Sequence, residues 1–220
     1  MKKIVMEYND FLSVKYDEVT RGEFKWLAPH LLEKHIKPYL KPKINVLDIG
    51  VGTGQTSEIF VNSDTNVSCI DISGDMLSVA KSKYPYKELI QYDVEDGLLK
   101  LFPEEKFDII VAVGILEFIK DIKKTLSELK QLLKNNGVIA FTYEIFKPDN
   151  KYGIEKESPL GAGSQNIPEL LSFMVYRRLS SEVDLIIKEL GLTIKSRKVF
   201  TGYLRSQLKI PVPYEILVVS

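Results

Sequence analysis

The sequence predicts a doubly wound α/β fold, a mostly parallel sheet with helices on both faces, and three observations carry that prediction. Between residues 44 and 145, short β-branched runs alternate with amphipathic stretches, and parallel neighbours need crossover helices of this kind. The run FDIIVAV at 107–113 is continuously apolar, as a central strand covered on both faces must be. The first run, INVLDIG at 44–50, passes directly into a glycine-rich turn. A chain of 220 residues is long enough for one large domain with a substantial core.

The elements follow in order. Residues 10–36 place Phe11, Leu12, Tyr16, Phe24, Leu27, Leu31, Leu32 and Ile36 at helical spacing, so one or two helices are expected there, ended by Pro38 and Pro42. After the first strand, a helix is expected through Ile59. NVSCID (66–71) reads as a second strand, and the next helix starts at a Ser73 cap and runs to about Lys83. Leu89 to Tyr92 forms a short third strand and 107–113 the fourth. The stretch 121–134 sets Ile122, Leu126, Leu129, Leu132 and Leu133 on one face, and Asn135, Asn136 and Gly137 should stop it. GVIAFTYEI (137–145) reads as a fifth strand. Residues 147–179, with their prolines, glycines and polar residues, read as an insertion with one short helix after Pro168. A helix from about Ser181 to Leu190 ends at Gly191, and strands near 192–200 and 213–219 close the chain as an antiparallel pair.

Composition narrows the function classes. Lys+Arg and Asp+Glu balance at 30 each, so no global field gathers nucleic acid or an anionic membrane. Eight basic residues face three acidic ones between Arg177 and Lys209, which reads as a solvated face. The single cysteine, Cys69, cannot close an internal disulfide, which suits a reducing compartment. The opening MKKIVMEYND is too short in apolar residues for a signal peptide, and no apolar run is long enough to span a bilayer. The expectation is a cytoplasmic protein with a small-molecule partner, without nucleic acid, membrane or metal, and of unspecified oligomeric state.

Three segments carry the chemistry. In VLDIGVGTGQTS (46–57) a strand ends, a glycine turn follows and a helix begins, so backbone can pass close to a ligand without interference from Cβ atoms. Its glycines, Gly50, Gly52 and Gly54, are spaced G-x-G-x-G, and Gln55 stands where the dinucleotide fingerprint G-x-G-x-x-G/A has its third small residue. Asp48 at the strand end would repel a nearby phosphate. Asp71 ends the second strand, 21 residues after Gly50, and an ionised carboxylate there can accept both hydroxyl hydrogens of a ribose. Asp93 ends the third strand, where it could accept from an adenine amino group while the Val94 N–H donates to a ring nitrogen. Ile72 and Met76 could cover the other face of the ring.

Taken in order, with FDIIVAVGILEFI (107–119) following, these segments resemble the class I S-adenosylmethionine-dependent methyltransferase family, in particular its small-molecule, type-11-like branch. The resemblance covers residues 44 to about 145. It implies a Rossmann-like seven-stranded sheet ordered 3-2-1-4-5-7-6 with only strand seven antiparallel, and S-adenosyl-L-methionine as cofactor. It implies that Asp48 and the Gly50–Gly54 loop hold the methionine part, Asp71 the ribose, and Asp93 with Val94 the adenine, with Val113 and Gly114 passing beside the sulfonium. One domain then spans 1–220, with a helical cover (1–40), a cofactor-binding core (41–146), an insertion or lid (147–179) and a closing helix with antiparallel strands (180–220). The reaction implied is an in-line methyl transfer, in which the protein's main task is alignment of acceptor, methyl and sulfur.

The catalytic residues have no motif behind them. An N/D-P-P-Y/F motif is missing, since 114–118 is GILEF, and Cys69 lies inside the second strand. His30 and His35 fall in the N-terminal helix and read as surface or packing residues. Glu117, Tyr143 and Glu144 remain as candidate bases. Acceptor specificity is expected from the added segments, through Tyr8, Phe11, Tyr16 and Trp26 on one side and Tyr152, Gln165, Phe173, Met174, Tyr176, Arg177 and Arg178 on the other. Tyr16 is expected at the cofactor's methionine end, Arg177 or Arg178 against an acidic acceptor, and Gly161 and Gly163 as lid hinges. Two other readings compete: a non-catalytic methyltransferase-like binding or assembly protein, and a nicotinamide-dependent oxidoreductase. The intact glycine loop with Asp71 counts against the first. The glycine spacing and the closing antiparallel strands count against the second.

Overall fold

The computed structural model describes residues 2–23, 26–61, 65–160, 173–205 and 209–220. Strands β1 (Asn45–Ile49), β2 (Asn66–Asp71), β3 (Glu88–Gln91), β4 (Phe107–Ala112) and β5 (Leu133–Glu144) are followed by β6 (Glu157–Leu160), β7 (Phe173–Tyr176), β8 (Ile194–Arg205) and β9 (Ile210–Val219). Seven of them form one sheet ordered β3-β2-β1-β4-β5-β9-β8. Strand β1 runs parallel to β2 (Val46 opposite Val67) and to β4 (Val46 opposite Ile109). Strand β9 is antiparallel to both its neighbours, with Leu217 facing Phe141 of β5 and Arg197 of β8. This is the order the resemblance implied, the two closing strands being β9 and β8.

The helices are α1 (Lys2–Leu12), α2 (Tyr16–Glu18, continuing as a π turn over Val19–Glu23), α3 (Ala28–Ile36), α4 (Glu58–Val61), α5 (Gly74–Lys83), α6 (Leu98–Leu101), α7 (Ile122–Leu132) and α8 (Ser180–Glu189). Side chains alternate across each strand, so the sheet has two cores. On one face Leu47, Phe141 and Leu217 join Leu98 of α6, Leu126 and Leu129 of α7, and Val183 and Ile187 of α8. On the other, Val46, Cys69, Val111 and Ile216 join Leu32 and Ile36 of α3, Phe60 of α4 and Leu77 of α5. Helix α5 starts at Ser73, whose hydroxyl accepts from the Met76 N–H. Helix α7 starts at Asp121, which accepts from the Lys124 N–H. Both are ordinary N-caps that satisfy an orphan amide.

Several boundaries differ from expectation, each for a local reason. The helix expected directly after the glycine turn begins only at Glu58, because Thr56 and Ser57 turn their hydroxyls back onto Asp48. Gly137 is not a helix stop. It lies inside β5, where a Cβ would come 2.9 Å from the Asp108 carbonyl oxygen, so close strand approach demands glycine there. Within the insertion, Glu157–Leu160 and Phe173–Tyr176 pair as a separate antiparallel ribbon, and FMVY has the β-branched and aromatic content such a strand favours. The short helix expected after Pro168, with Gly161, Gly163 and Gln165, lies outside the described residues, as does Phe24. The closing strands extend through Arg205 and from Ile210, taking up most of the segment expected to link them.

Candidate functional site

The site is built at the carboxyl ends of β1, β2, β3 and β4, beside β1, where helices switch from one face of the sheet to the other. In an open α/β sheet this is where ligands bind. After β1 the chain turns through Gly50, Gly52 and Gly54, all with positive φ (+69°, +53° and +88°). Gly50 is needed for space as well as for φ, since its Cβ would come 2.7 Å from Ile115 Cδ1. Gly52 has nothing within 4 Å of where a Cβ would stand, so the loop tip faces open space. The Gly52 N–H donates to Asp71 Oδ2 at 2.8 Å, tying the loop to the end of β2.

Two carboxylates lie behind this loop. Asp48 is 1% exposed. Its Oδ2 accepts from Thr56 Oγ1 and Ser57 Oγ, both at 2.7 Å, while Oδ1 is buried with no hydrogen-bond partner. Burial pushes its pKa up to about 6, against the two hydroxyls, which favour the charge. Asp71 is also buried and accepts from two backbone amides, Gly52 N–H and Ser73 N–H (2.9 Å). Burial raises its pKa and those amides oppose the rise. Each Asp71 oxygen retains lone-pair capacity for a ligand hydroxyl. Two carboxylates and an unfilled acceptor suit a ligand with hydroxyl and cationic groups, and oppose a phosphate.

Asp93 caps the short 3-10 turn Val94–Asp96 by accepting from the Glu95 N–H at 2.9 Å. With Ile72 and Tyr92 it borders a cleft of about 220 Å³, closed by Lys3 and Met6 of α1 and by Gln91. Val94 is buried beside Asp93. Met76 is buried in α5 and does not line this cleft. The structure thus brings Asp48, the three glycines, Asp71, Ile72 and Asp93 to one edge of the sheet.

The N-terminal segment docks on that edge through polar contacts. Asp10 of α1 accepts from Ser73 Oγ at 2.5 Å. Asp17 of α2 accepts from Thr53 Oγ1 at 2.5 Å and Gln55 Nε2 at 2.9 Å, and pairs with Lys83. These bonds hold the Asp17 carboxyl below the usual carboxylate range although burial opposes them. Tyr16 is half-buried, with its pKa raised first by burial and then by the nearby charges of Glu117 and Asp71. Asp10, Asp17, Lys3 and Met6 escaped the sequence reading. No spacing marks them, because helical periodicity says which face is apolar and nothing of what its polar residues meet.

A second constellation stands at the ends of β4 and β5. Val113 is buried, and the Gly114 N–H donates to Thr142 Oγ1 at 2.8 Å. Glu117, on the 3-10 turn Leu116–Phe118, is 3% exposed. Its Oε1 accepts from Tyr214 OH at 2.8 Å, while Oε2 is buried with no hydrogen-bond partner. Burial raises its pKa to about 7, opposed by its own backbone N–H and the Tyr214 hydroxyl. Glu144 is ion-paired with Arg177 and accepts from Tyr203 OH at 3.4 Å. Arg177 also donates to the Glu155 carbonyl and Ser158 Oγ, leaving Nη2 unpaired. Tyr143 is not part of this group. On the opposite face of β5 it bonds to Glu215 and, at 3.2 Å, to Ser180 Oγ. Arg178 is likewise committed, its guanidinium donating to the carbonyls of Leu116, Ile119, Lys120 and Tyr176. His35 bonds Ser196 Oγ at 2.8 Å and His30 is exposed.

Aromatic rings pack against Tyr214, the hydrogen-bond partner of Glu117, and against its chain neighbour Phe118. Trp26 packs edge-on to Tyr214 at 5.1 Å and lies against Gly114. Phe173 meets Tyr8 at 4.8 Å and Phe118 at 5.0 Å. Among the described residues no helix is long and apolar enough to cross a membrane, and no group of three His, Cys, Asp or Glu could hold a metal ion.

A doubly wound sheet with a G-x-G-x-G turn at its switch point, backed by carboxylates, defines a class of α/β domain. Residues 47–141 match the model of the methyltransferase domain. The chain is 36% identical over 100 residues to malonyl-[acyl-carrier protein] O-methyltransferase 2 of Ilyobacter polytropus, a match covering 44% of this chain and 38% of that protein. It is 31% identical over 134 residues to the ubiquinone biosynthesis O-methyltransferase of Actinobacillus pleuropneumoniae, covering 55% of this chain and 56% of that one. The matches thus span about half, or less, of these curated relatives. In fold, the chain resembles an S-adenosylmethionine-dependent methyltransferase from Clostridium acetobutylicum with a TM-score of 0.67 at 18% identity, over 97% of this chain and 98% of the other.

Proposed function

We propose that the protein binds S-adenosylmethionine at the carboxyl edge of the sheet and transfers its methyl group to a small-molecule acceptor in the cytoplasm. The observation that carries this reading is the pair of buried carboxylates around the glycine loop. Asp48 holds an unfilled acceptor atom, and Asp71 is fixed by two backbone amides with lone pairs to spare. A cationic sulfonium with an amino group and a ribose diol meets the needs of both, whereas a dinucleotide pyrophosphate would meet two negative charges.

In this reading Asp48 and the Gly50, Gly52 and Gly54 turn receive the amino-acid end of the cofactor, with Tyr16 over it. Asp71 takes the ribose hydroxyls. The adenine enters the cleft between Ile72, Asp93 and α1, with the Val94 amide as donor. Val113 and Gly114 pass beside the sulfur, and Met76 supports the cleft from within α5. When bound, the cofactor supplies an activated methyl group. The chain's own work is to align an acceptor behind that group and to exclude water. The core 41–146 holds the cofactor, the cover 1–40 closes over it, and the insertion 147–179 with the closing part 180–220 completes the acceptor side.

Calorimetric titration with S-adenosylmethionine and with NAD tests the reading. Binding of the first and not the second is expected. Tight NAD binding, or no binding of S-adenosylmethionine, overturns it.

A further inference from the structure

A buried carboxylate oxygen without a donor is costly, and Glu117 Oε2 is one. Its sister oxygen is satisfied by Tyr214, so the side chain is held in one orientation while half of its hydrogen-bonding capacity stays unused. Among the described residues, Tyr214 from β9, Glu144 from β5, Arg178 beyond β7 and Tyr16 from α2 influence it electrostatically or bond to it. Of these, Glu144 is ion-paired with Arg177, and Arg178 is spent on carbonyl oxygens. None donates to Oε2. What this atom lacks is a hydrogen-bond donor, and a further anion is what it would reject.

The surroundings say what kind of donor. Tyr214, which bonds Glu117, packs against Trp26, and Phe118, next to Glu117 in the chain, packs against Phe173, which meets Tyr8. Flat aromatic walls favour a flat aromatic partner. Helices α1 and α2 reach this region through Tyr8 and Tyr16 and are tied down by the Asp10–Ser73, Asp17–Thr53 and Asp17–Lys83 contacts. Polar tethers of this sort open more readily than a fully buried apolar face.

We infer that Glu117 is the general base for a phenolic acceptor, which enters between these rings when α1–α2 lifts and presents its hydroxyl to Oε2. This rests on the methyltransferase reading above and adds the acceptor's chemistry to it. The acceptor's O–H bond breaks, with the proton passing to Glu117 Oε2. The freed oxygen lone pair forms the bond to the methyl carbon as the carbon–sulfur bond breaks, leaving its electron pair on sulfur. The products are an aryl methyl ether, S-adenosylhomocysteine and a protonated Glu117, which returns its proton to solvent when the cover opens. A carboxylate acceptor, of the kind the word malonyl in one relative's name suggests for that protein, would set two anions against each other here.

The test uses the whole chain saturated with S-adenosylhomocysteine, so that binding is read without turnover. Catechol and benzoate are titrated calorimetrically at about pH 8, where Glu117 is mostly ionised. Catechol should bind at least tenfold more tightly than benzoate, and Glu117→Gln, which exchanges a charged acceptor for a neutral one, should weaken catechol about tenfold. With S-adenosylmethionine in place of the product, wild type should methylate catechol and Glu117→Gln should be slower by about 10²–10⁴. Catalysis by the wild type should rise with pH as Glu117 ionises. Tyr214→Phe removes a donor that stabilises the ionised form, so that rise should move to higher pH. This variant covers the case in which Glu117→Gln fails to fold. Equal binding of benzoate and catechol, no binding of catechol, or an unmoved pH profile in Tyr214→Phe overturns the inference. Each of these is distinct from failure to bind S-adenosylhomocysteine, which would instead overturn the methyltransferase reading.

Discussion

Gly52 and Asp71 are joined by a 2.8 Å hydrogen bond from the loop amide to Oδ2, so the glycine turn after β1 and the carboxylate ending β2 form one rigid unit. The other oxygen of Asp71 receives the Ser73 amide, which places the start of α5 on the same carboxylate. A side chain with two backbone amides already bound is preorganised for whatever it next accepts.

Replacing Asp71 by Ala should therefore have two separable effects. The apoprotein should lose about 1–3 kcal/mol of stability in urea denaturation, because two amides lose their acceptor. Affinity for S-adenosylmethionine should fall further, by about 1.5–3 kcal/mol for each charge-assisted bond to a ribose hydroxyl, read by calorimetry at a temperature where the variant is folded. Unchanged affinity in a folded variant would remove Asp71 from the ribose role.

The loop glycines should separate in the opposite sense. Gly50→Ala combines a positive φ with a Cβ 2.7 Å from Ile115 and should destabilise the fold by about 2–4 kcal/mol. Gly52→Ala meets no neighbour, so only the φ cost of about 1–2 kcal/mol remains. Its new methyl group, however, projects from the loop tip, so cofactor affinity should suffer more than stability does. Thermal unfolding with and without S-adenosylhomocysteine distinguishes the two. A Gly52→Ala protein with full ligand-induced stabilisation would show that the ligand does not approach that tip.

What was legible in the sequence was what chain neighbours decide. The strand and glycine turn at 46–54, Asp71 at a strand end and the continuously apolar β4 are set within a few residues of themselves, and the strand order follows from handed crossovers together with the family resemblance. What escaped depends on pairs far apart in the chain. Tyr214 reaches Glu117 across 97 residues, and Asp17 reaches Gln55 across 38. Arg177 and Arg178 are adjacent and chemically alike in sequence, yet the fold commits one to carbonyl oxygens and pairs the other with Glu144. Tyr143 and Glu144, neighbours in β5, fall on opposite faces for the plain reason that strand side chains alternate.

Asp17 gives a test of the cover. Its carboxylate links α2 to Thr53 and Gln55 of the loop and to Lys83 of α5. Both members of the ion pair are partly exposed, so salt screens much of their attraction. Asp17→Ala should leave global unfolding within about 1 kcal/mol of wild type while raising amide exchange across residues 2–23. In the wild type, S-adenosylhomocysteine should slow that exchange, and in the variant it should do so less. Exchange rates in 2–23 that are the same in both proteins, with and without ligand, would mean that the segment is not held through Asp17.

Asp48 links stability and binding to pH in opposite directions. Its folded-state pKa, about 6, lies above the ordinary aspartate value because burial penalises the charge. The folded protein therefore holds this proton over a range where the unfolded chain has lost it. The stability it contributes is fully present below about pH 4 and is lost as pH rises through about 6, a change of up to about 3 kcal/mol. Asp48→Asn removes the titration. The amide oxygen can still accept from Thr56 and Ser57, and the amide nitrogen takes the place of an oxygen that had no partner. At pH 8 the variant should thus be more stable than wild type, with the advantage shrinking towards pH 4 in parallel urea titrations. Binding should run the other way, because a cationic ligand needs the ionised carboxylate. Wild-type affinity for S-adenosylmethionine should rise between pH 5 and pH 8, while that of Asp48→Asn should be lower at pH 8 and depend less on pH. A variant that matches wild type in both stability and affinity across this range would show that the Asp48 charge is neither strained in the apoprotein nor used by the ligand.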